Sequence, residues 1–414
     1  MNSDKEVQNE RERPLNDTGL CKPREPCPSK RSFFIVTLTA LFLLMGATIP
    51  TPLYGLYRIN FALSPIAITL IYAAYSIGVV PTLFFFGPLG DALGRKPLLL
   101  IAVSSGIIGT IILGFAPGFD WLIIGRLAQG IGVGAVLGNA TAALVEFEPD
   151  GNKQHATEIA GMAQLGGLAL GSLTAGIMAE YLFAPTLLVY ILELFFLIMV
   201  FILLLTVEGS GIKLEFNSFR LNKPAISPAK WSFISASIAS ALVLAMSGLY
   251  FSLVPTYTQG ILHTSNIALG GIISSVMVFT SVVVEKILWN RPSMHLEIGG
   301  LISLMLGLLL ISFTSIYPSL VILLMAAIFC GIGFGTTYMG AIGVINRIAP
   351  PKRRGDVTSS FFAITYAALG IPIIGLGVAA QYLNLFNAVY LFVAAIILIA
   401  VIDIPMILLQ RYGR

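Results

Sequence analysis

Gly87-Pro-Leu-Gly-Asp91-Ala-Leu-Gly94-Arg95-Lys96 decides how the rest of this chain is read. Three glycines, one acid and two bases stand between two long apolar runs, near 65–87 and 97–116. A run of about 20 apolar residues is long enough to cross a bilayer as a helix. The decapeptide therefore reads as a short charged reversal at a membrane surface. Its glycines allow the tight turn, and its bases suit the cytoplasmic side, where loops are enriched in Lys and Arg.

The composition agrees. Of 414 residues, 57% are hydrophobic and 11% charged, and the mean hydropathy is +0.90. A soluble domain carries about 25% charged residues. The chain is read as an all-α integral membrane protein. Residues 1–31 differ: seven bases, six acids and no apolar run. The segment lacks the apolar stretch of a signal peptide and is expected to be a disordered cytoplasmic tail. Cys21, Cys27 and Cys330 have neither zinc nor redox spacing. They are read as reduced and incidental.

Twelve apolar runs follow, near 33–58, 65–87, 97–116, 120–146, 156–181, 185–206, 231–257, 267–289, 298–316, 319–346, 357–382 and 387–409. Twelve crossings put both termini on one side. With that side inside, only Arg58 of the 24 bases lies at an outer end, and only Arg126 lies within a run. An error of one crossing would scatter the bases over both faces. A polar interval at 207–230 separates six runs (32–206) from six (231–410) and is expected to be a cytoplasmic linker.

The halves repeat. Gly-Ile-Gly-Val-Gly at 130–134 answers Gly-Ile-Gly-Phe-Gly at 331–335, an offset of 201 residues. Pro149 and Pro350, Met45 and Met246, and Ala-Glu-Tyr-Leu at 179–182 with Ala-Gln-Tyr-Leu at 380–383 keep the same offset. Repeated halves with a site between them near mid-membrane are a common plan of secondary transporters.

The ordering Gly-x-Leu-x-Asp-x-x-Gly-Arg-Lys at 87–96 resembles the signature loop of the major facilitator superfamily, between its second and third helices. The resemblance covers nearly all of the chain after residue 31. It implies two six-helix bundles related by pseudo-two-fold symmetry, rocking about a central site. It also implies a gating and charge-relay cluster of Gly87, Asp91, Gly94, Arg95 and Lys96. In that cluster Asp91 would face the N-terminal end of the eleventh helix, where the helix dipole favours an anion. Arg95 would pair with Glu146, with Glu148 as substitute, at the inner end of the fourth helix.

Arg126-Leu-Ala-Gln129-Gly-Ile-Gly resembles the family's fourth-helix motif, whose arginine is linked to proton transfer. A charge inside a span is costly and is usually functional or paired; snorkelling to the interface is the alternative. Its counterpart 201 residues on is Ala327, so the charge is not a structural need of both repeats. Proton coupling needs a carboxyl that can change charge inside the membrane. Glu193 is the acid near the middle of a run, and Asp403 is a second candidate nearer the inner face. A permanently protonated Glu193 bonded to a neighbouring helix is the competing reading. Gly167, Gly171 and Gly176 resemble the antiporter motif of drug exporters, Gly-x-x-x-Gly-Pro-x-x-Gly-Gly, with Ser172 and Ala175 departing from it. Small residues at that spacing also serve plain helix packing.

If the family fold holds, the first, fourth, seventh and tenth helices line the cavity. Thr51, Tyr54, Gln129, Asn139, Tyr250, Tyr257, Tyr338 and Asn346 are the polar and aromatic candidates on them. Pro50, Pro52 and Pro255 interrupt the first and seventh helices, as suits helices that bend. No P-loop, zinc spacing or Gly-x-Ser-x-Gly elbow occurs. The expectation is therefore a transporter, not an enzyme, with no cofactor and no metal. Its expected partners are a small-molecule substrate, protons and the lipid bilayer, without nucleic acid, and it is expected to work as a monomer in a bacterial inner or plasma membrane. Proton-coupled efflux of a small amphipathic molecule is favoured. Proton-symport import of a sugar or organic acid is the first alternative, and a non-transporting receptor or scaffold of the same fold is the second.

Overall fold

The structure, a computed structural model, describes residues 29–207, 224–350 and 353–409. The expected tail and most of the expected linker lie outside the described residues, and so do the side chains of Gly87 and Asp91. Among the described residues there is no strand, and twelve helices are long and apolar enough to span a membrane. They are Lys30–Asn60, Pro65–Phe86, Arg95–Gly114, Phe119–Phe147, Lys153–Tyr181, Pro185–Leu205, Lys230–Ser252, Ala268–Leu288, Ser293–Phe313, Leu320–Ile348, Arg354–Leu383 and Leu385–Leu409. Each apolar run of the sequence corresponds to one of these spans. Large apolar side chains such as Phe195 and Leu398 are exposed along them. So broad an apolar surface suits lipid and not water.

Spans one to six form one bundle and seven to twelve the other. The packing repeats: third on fourth and ninth on tenth, second on fourth and eighth on tenth, third on sixth and ninth on twelfth. The glycine stripes show why. A Cβ on Gly132 would come 2.7 Å from the Ala102 carbonyl of the third span. One on Gly333 would come 2.9 Å from the Gly300 carbonyl of the ninth. Gly134 likewise approaches the Val79 carbonyl and Gly335 that of Ser281. The fourth and tenth spans thus use equivalent bare surfaces to seat equivalent neighbours, as small residues do in membrane helix packing.

Two seams join the bundles: the second span on the eleventh and the fifth on the eighth. In the first, Gly370 lies against Ser76 and Gly377 against Thr69, and Ser359 Oγ donates to the Leu83 carbonyl at 3.2 Å. In the second, Gly176 and Gly271 meet backbone to backbone, with Ser172 Oγ donating to the Gly271 carbonyl at 3.3 Å. The face carrying Lys30 and Leu409 is called the terminal face and the other the distal face. At the distal face the first span breaks after Thr48 and the seventh after Ser252. The short helices beyond, Pro50–Asn60 and Val254–Leu262, pack on each other across the bundles.

Candidate functional site

Three groups of polar side chains stand out against this apolar frame. The first lies inside the N-terminal bundle. Arg126 is fully buried, and its Nη1 donates to the Ala47 carbonyl at 2.9 Å and to Gln129 Oε1 at 3.0 Å. Prolines at 50 and 52 remove the amide donors that the Gly46 and Thr48 carbonyls would meet in an unbroken helix. Arg126 therefore reaches the first span where its hydrogen-bond ladder is weakest. The guanidinium also lies over the Tyr75 ring, 4.7 Å from its centroid, and 5.9 Å from that of Tyr72. These are cation–π distances.

Gln129 passes the contact on. Its Nε2 donates to Glu193 Oε1 at 3.3 Å, and Thr110 Oγ1 donates to the same oxygen at 2.8 Å. Glu193 Oε2 and Arg126 Nε and Nη2 are buried without a hydrogen-bond partner. Gly46 makes the room, because a Cβ there would run into the Glu193 carboxylate. One turn from Glu193, Tyr190 shares a hydrogen bond of 2.8 Å with Tyr57 and covers the acid on the distal side. The first, third, fourth and sixth spans thus converge on one arginine–glutamine–glutamate relay.

The second group sits at the terminal face. Gly94 has φ +88°, a conformation that glycine adopts at little cost. The chain reverses there, and Arg95 opens the next helix. Arg95 Nε meets Glu146 Oε1 at 3.0 Å, and its Nη1 donates to Asn139 Oδ1 at 3.3 Å. Asn139, expected in the cavity wall, belongs to this cluster: its Nδ2 donates to the carbonyls of Phe86 and Ala135. Lys96 Nζ donates to the Leu205 and Val207 carbonyls at 2.8 and 2.6 Å. Glu148 is taken up locally, accepting from the amides of Asp150 and Asn152. The Asp91 carboxylate, expected to face the eleventh helix, lies outside the described residues.

The third group lies at the meeting of the bundles. Tyr72 and Tyr75 of the second span, Tyr338 of the tenth and Tyr366 of the eleventh come within electrostatic range of one another. Tyr338 is half-buried and stacks on Phe334 at 5.8 Å. On the eighth span the buried Glu285 comes near Tyr338 and faces Gly161 of the fifth, where a Cβ would lie 3.7 Å from its Oε2. Sequence reading missed Glu285. It adjoins Lys286 near the end of an apolar run and passes for an interfacial residue.

The other expected cavity residues fall in several places. Tyr257 is turned into the C-terminal bundle, where its hydroxyl donates to the Ile311 carbonyl at 3.0 Å. Asn346 is exposed at the terminal end of the tenth span. Thr51, Tyr54 and Tyr250 are buried, the first two with hydroxyls that have no partner and Tyr250 beside Cys330. Gln129 serves the relay. Gly167 and Gly171 seat the first span, through Leu41 and Met45, while Gly176 seats the eighth. Asp403 is buried in the twelfth span and accepts from Ser235 Oγ at 2.8 Å, far along the chain from the relay.

The sequence model of the Major Facilitator Superfamily matches residues 36–373. The chain belongs to that superfamily. A multidrug resistance protein, MdtL, of Vibrio parahaemolyticus is 30% identical over 106 residues, 25% of this chain and 27% of that protein. A gallate transporter of Pseudomonas putida is 35% identical over 94 residues, 23% of this chain and 21% of that protein. The matched segments thus span about a quarter of these relatives' length. Among solved structures, the nucleoside transporter NupG superposes with TM-score 0.74 at 13% identity, covering 91% of this chain and all of that one. The peptide transporter POT gives 0.75 at 14%, covering 92% and 96%. At such identities the likeness concerns the fold.

Proposed function

We propose that this protein exports a small amphipathic molecule in exchange for protons, by alternating access from a cavity between its bundles. The observation that carries the reading is the half-satisfied Glu193. One carboxyl oxygen is held by Thr110 and Gln129 and the other has no partner, within a relay that ends on the proline-weakened turn of the first span. A proton arriving at Glu193 would remove the charge that Gln129 and Thr110 stabilise. The rearranged Gln129 would then free Arg126 from the Ala47 carbonyl, so that the outer half of the first span can move. The distal closure between Pro50–Asn60 and Val254–Leu262 is the contact this motion would open.

The tyrosine group supports an amphipathic cargo. Aromatic faces accept apolar bodies and organic cations alike, and Glu285 offers a carboxyl near Tyr338. Export accords with the likeness to a multidrug resistance protein and with the small residues of the fifth span on its seam. Ser172 in place of the motif's proline, and the likeness to a gallate transporter, favour the second reading, import by proton symport. Among the described bases, all but Arg58 and Arg126 lie at the terminal face. By the positive-inside preference that face would be cytoplasmic.

The test is counterflow in proteoliposomes carrying a pH-sensitive dye. Export requires proton movement opposite to a fluorescent amphiphilic substrate and loss of that movement in Glu193→Gln. Parallel movement would establish symport. No proton movement with any transported substrate would refute the coupling.

A further inference from the structure

Two charged positions change sign between the bundles. Adding 201 to Lys96 gives Glu297, and adding 201 to Glu146 gives Arg347. In the first bundle the base at the start of the third span reaches the sixth span, where Lys96 Nζ donates to two carbonyls. In the second bundle the equivalent position at the start of the ninth span holds an acid, and the equivalent partner, the twelfth span, presents another acid, Asp403. Where one repeat supplies a cation of its own, the other sets two carboxyls within electrostatic range of each other on the packed ninth and twelfth spans.

Neither carboxyl is on the surface: Glu297 is 3% exposed and Asp403 1%. Asp403 Oδ1 accepts from Ser235 Oγ, while Asp403 Oδ2 and Glu297 Oε1 are buried without any partner. Gly340 lets the Glu297 side chain lie flat on the tenth span, with 2.8 Å between a Cβ there and Glu297 Cγ. One turn away on that helix contact, Thr337 Oγ1 is a third buried oxygen without a partner, set against Gly300. The surrounding charges do not settle the account. From the tenth span Arg347 acts on Glu297 but is itself exposed at the terminal face. Lys230 at the start of the seventh span and His295 on the ninth are exposed. Arg353 at the start of the eleventh is paired with Asp356. Were both carboxyls ionised, Arg347 would leave one negative charge over, and a charge so placed inside a membrane protein demands a counter-charge.

We propose that Glu297 and Asp403, with Ser235 orienting the latter, form a binding site for one monovalent cation in the body of the C-terminal bundle, away from the Glu193 relay. Oxygen-only ligands suit a hard cation, and both a shared proton and a sodium ion meet that description. Occupancy ties the ninth and twelfth spans together, so the site is a place where cation concentration governs the rigidity of one bundle independently of substrate.

The experiment uses the full-length protein purified in detergent without substrate. Its thermal midpoint is followed across the neutral pH range in choline chloride, and again with sodium or potassium replacing choline at constant ionic strength. A sodium-specific rise that weakens on acidification identifies sodium; a pH response indifferent to salt identifies a proton. To silence the relay's own titration, the comparison is made in a Glu193→Gln background, where in either case the response is reduced by adding Glu297→Gln/Asp403→Asn. An unchanged response with this double substitution, or no response in the Glu193→Gln background, overturns the proposal. If the double variant does not fold, Ser235→Ala replaces it. It removes only the hydrogen bond on Asp403 Oδ1 and must shift the pH or sodium midpoint; an unmoved midpoint is equally fatal.

Discussion

The Glu193 carboxylate of the sixth span occupies the volume that a side chain on Gly46 of the first span would need. The acid is thereby pressed against the turn that Pro50 and Pro52 weaken and Arg126 steadies. Gly46→Ala should be poorly tolerated because a methyl group forced into a filled core costs about 1–3 kcal/mol. A lowered thermal midpoint in Gly46→Ala, restored in part by adding Glu193→Ala, is the expected result. If the second substitution brings no recovery, the two residues do not compete for one space.

Arg126 does more than supply a charge. Its planar fork bonds Ala47 and Gln129 while its face lies over Tyr75. Lysine offers neither a fork nor a flat face. Arg126→Lys should therefore lose at least about tenfold in proton-driven transport, nearly as much as Arg126→Ala, since a factor of ten needs only about 1.4 kcal/mol. Substrate-gradient-driven exchange should suffer less. Full activity in the lysine variant would show that charge alone suffices.

The Arg95–Glu146 pair is only partly buried, at 18% and 33% exposure, so its strength is modest, about 1 kcal/mol or less. That still shifts a two-state equilibrium by up to about fivefold. Glu146→Gln should change the balance between terminal-open and terminal-closed forms, read by spin-label distances across the terminal ends of the fourth and tenth spans. The exchanged pair Arg95→Glu/Glu146→Arg should recover part of the wild-type balance. Identical distance distributions in wild type and Glu146→Gln would remove the pair from gating.

The span plan was legible because a bilayer imposes one simple rule, about 20 apolar residues per crossing, and the bases marked the faces. Arg126 and Glu193 were legible as lone charges deep in apolar runs. Glu285 and Glu297 were not. Both lie within a few residues of a helix end, beside Lys286 and His295, where an acid passes for an interfacial one. The cavity roster was the least legible part, since lining a cavity depends on helix rotation. Asn139 turns to Arg95 and Tyr257 to Ile311 although both stand on helices expected to line the centre. Hydropathy fixes where a helix crosses; it says little about how the helix is turned.

On the proposed reading, Glu285 would give the substrate site its chemical preference. The described residues offer it no hydrogen-bond donor; the bare Gly161 lies against it and Tyr338 comes within electrostatic range. A carboxyl so placed, with aromatic faces beside it, is arranged for an organic cation: the ring quadrupole attracts it and the acid neutralises it. Glu285→Gln should therefore lower transport of a cationic amphiphile by about tenfold, the equivalent of about 1.4 kcal/mol. An uncharged amphiphile of similar size should be carried almost as before. Tyr338→Ala should weaken both, because it removes apolar surface as well as the ring face. Competition assays with matched cationic and neutral dyes measure the ratio directly, and an equal loss for both dyes in Glu285→Gln would mean that the acid supports the seam with the fifth span and does not read the substrate.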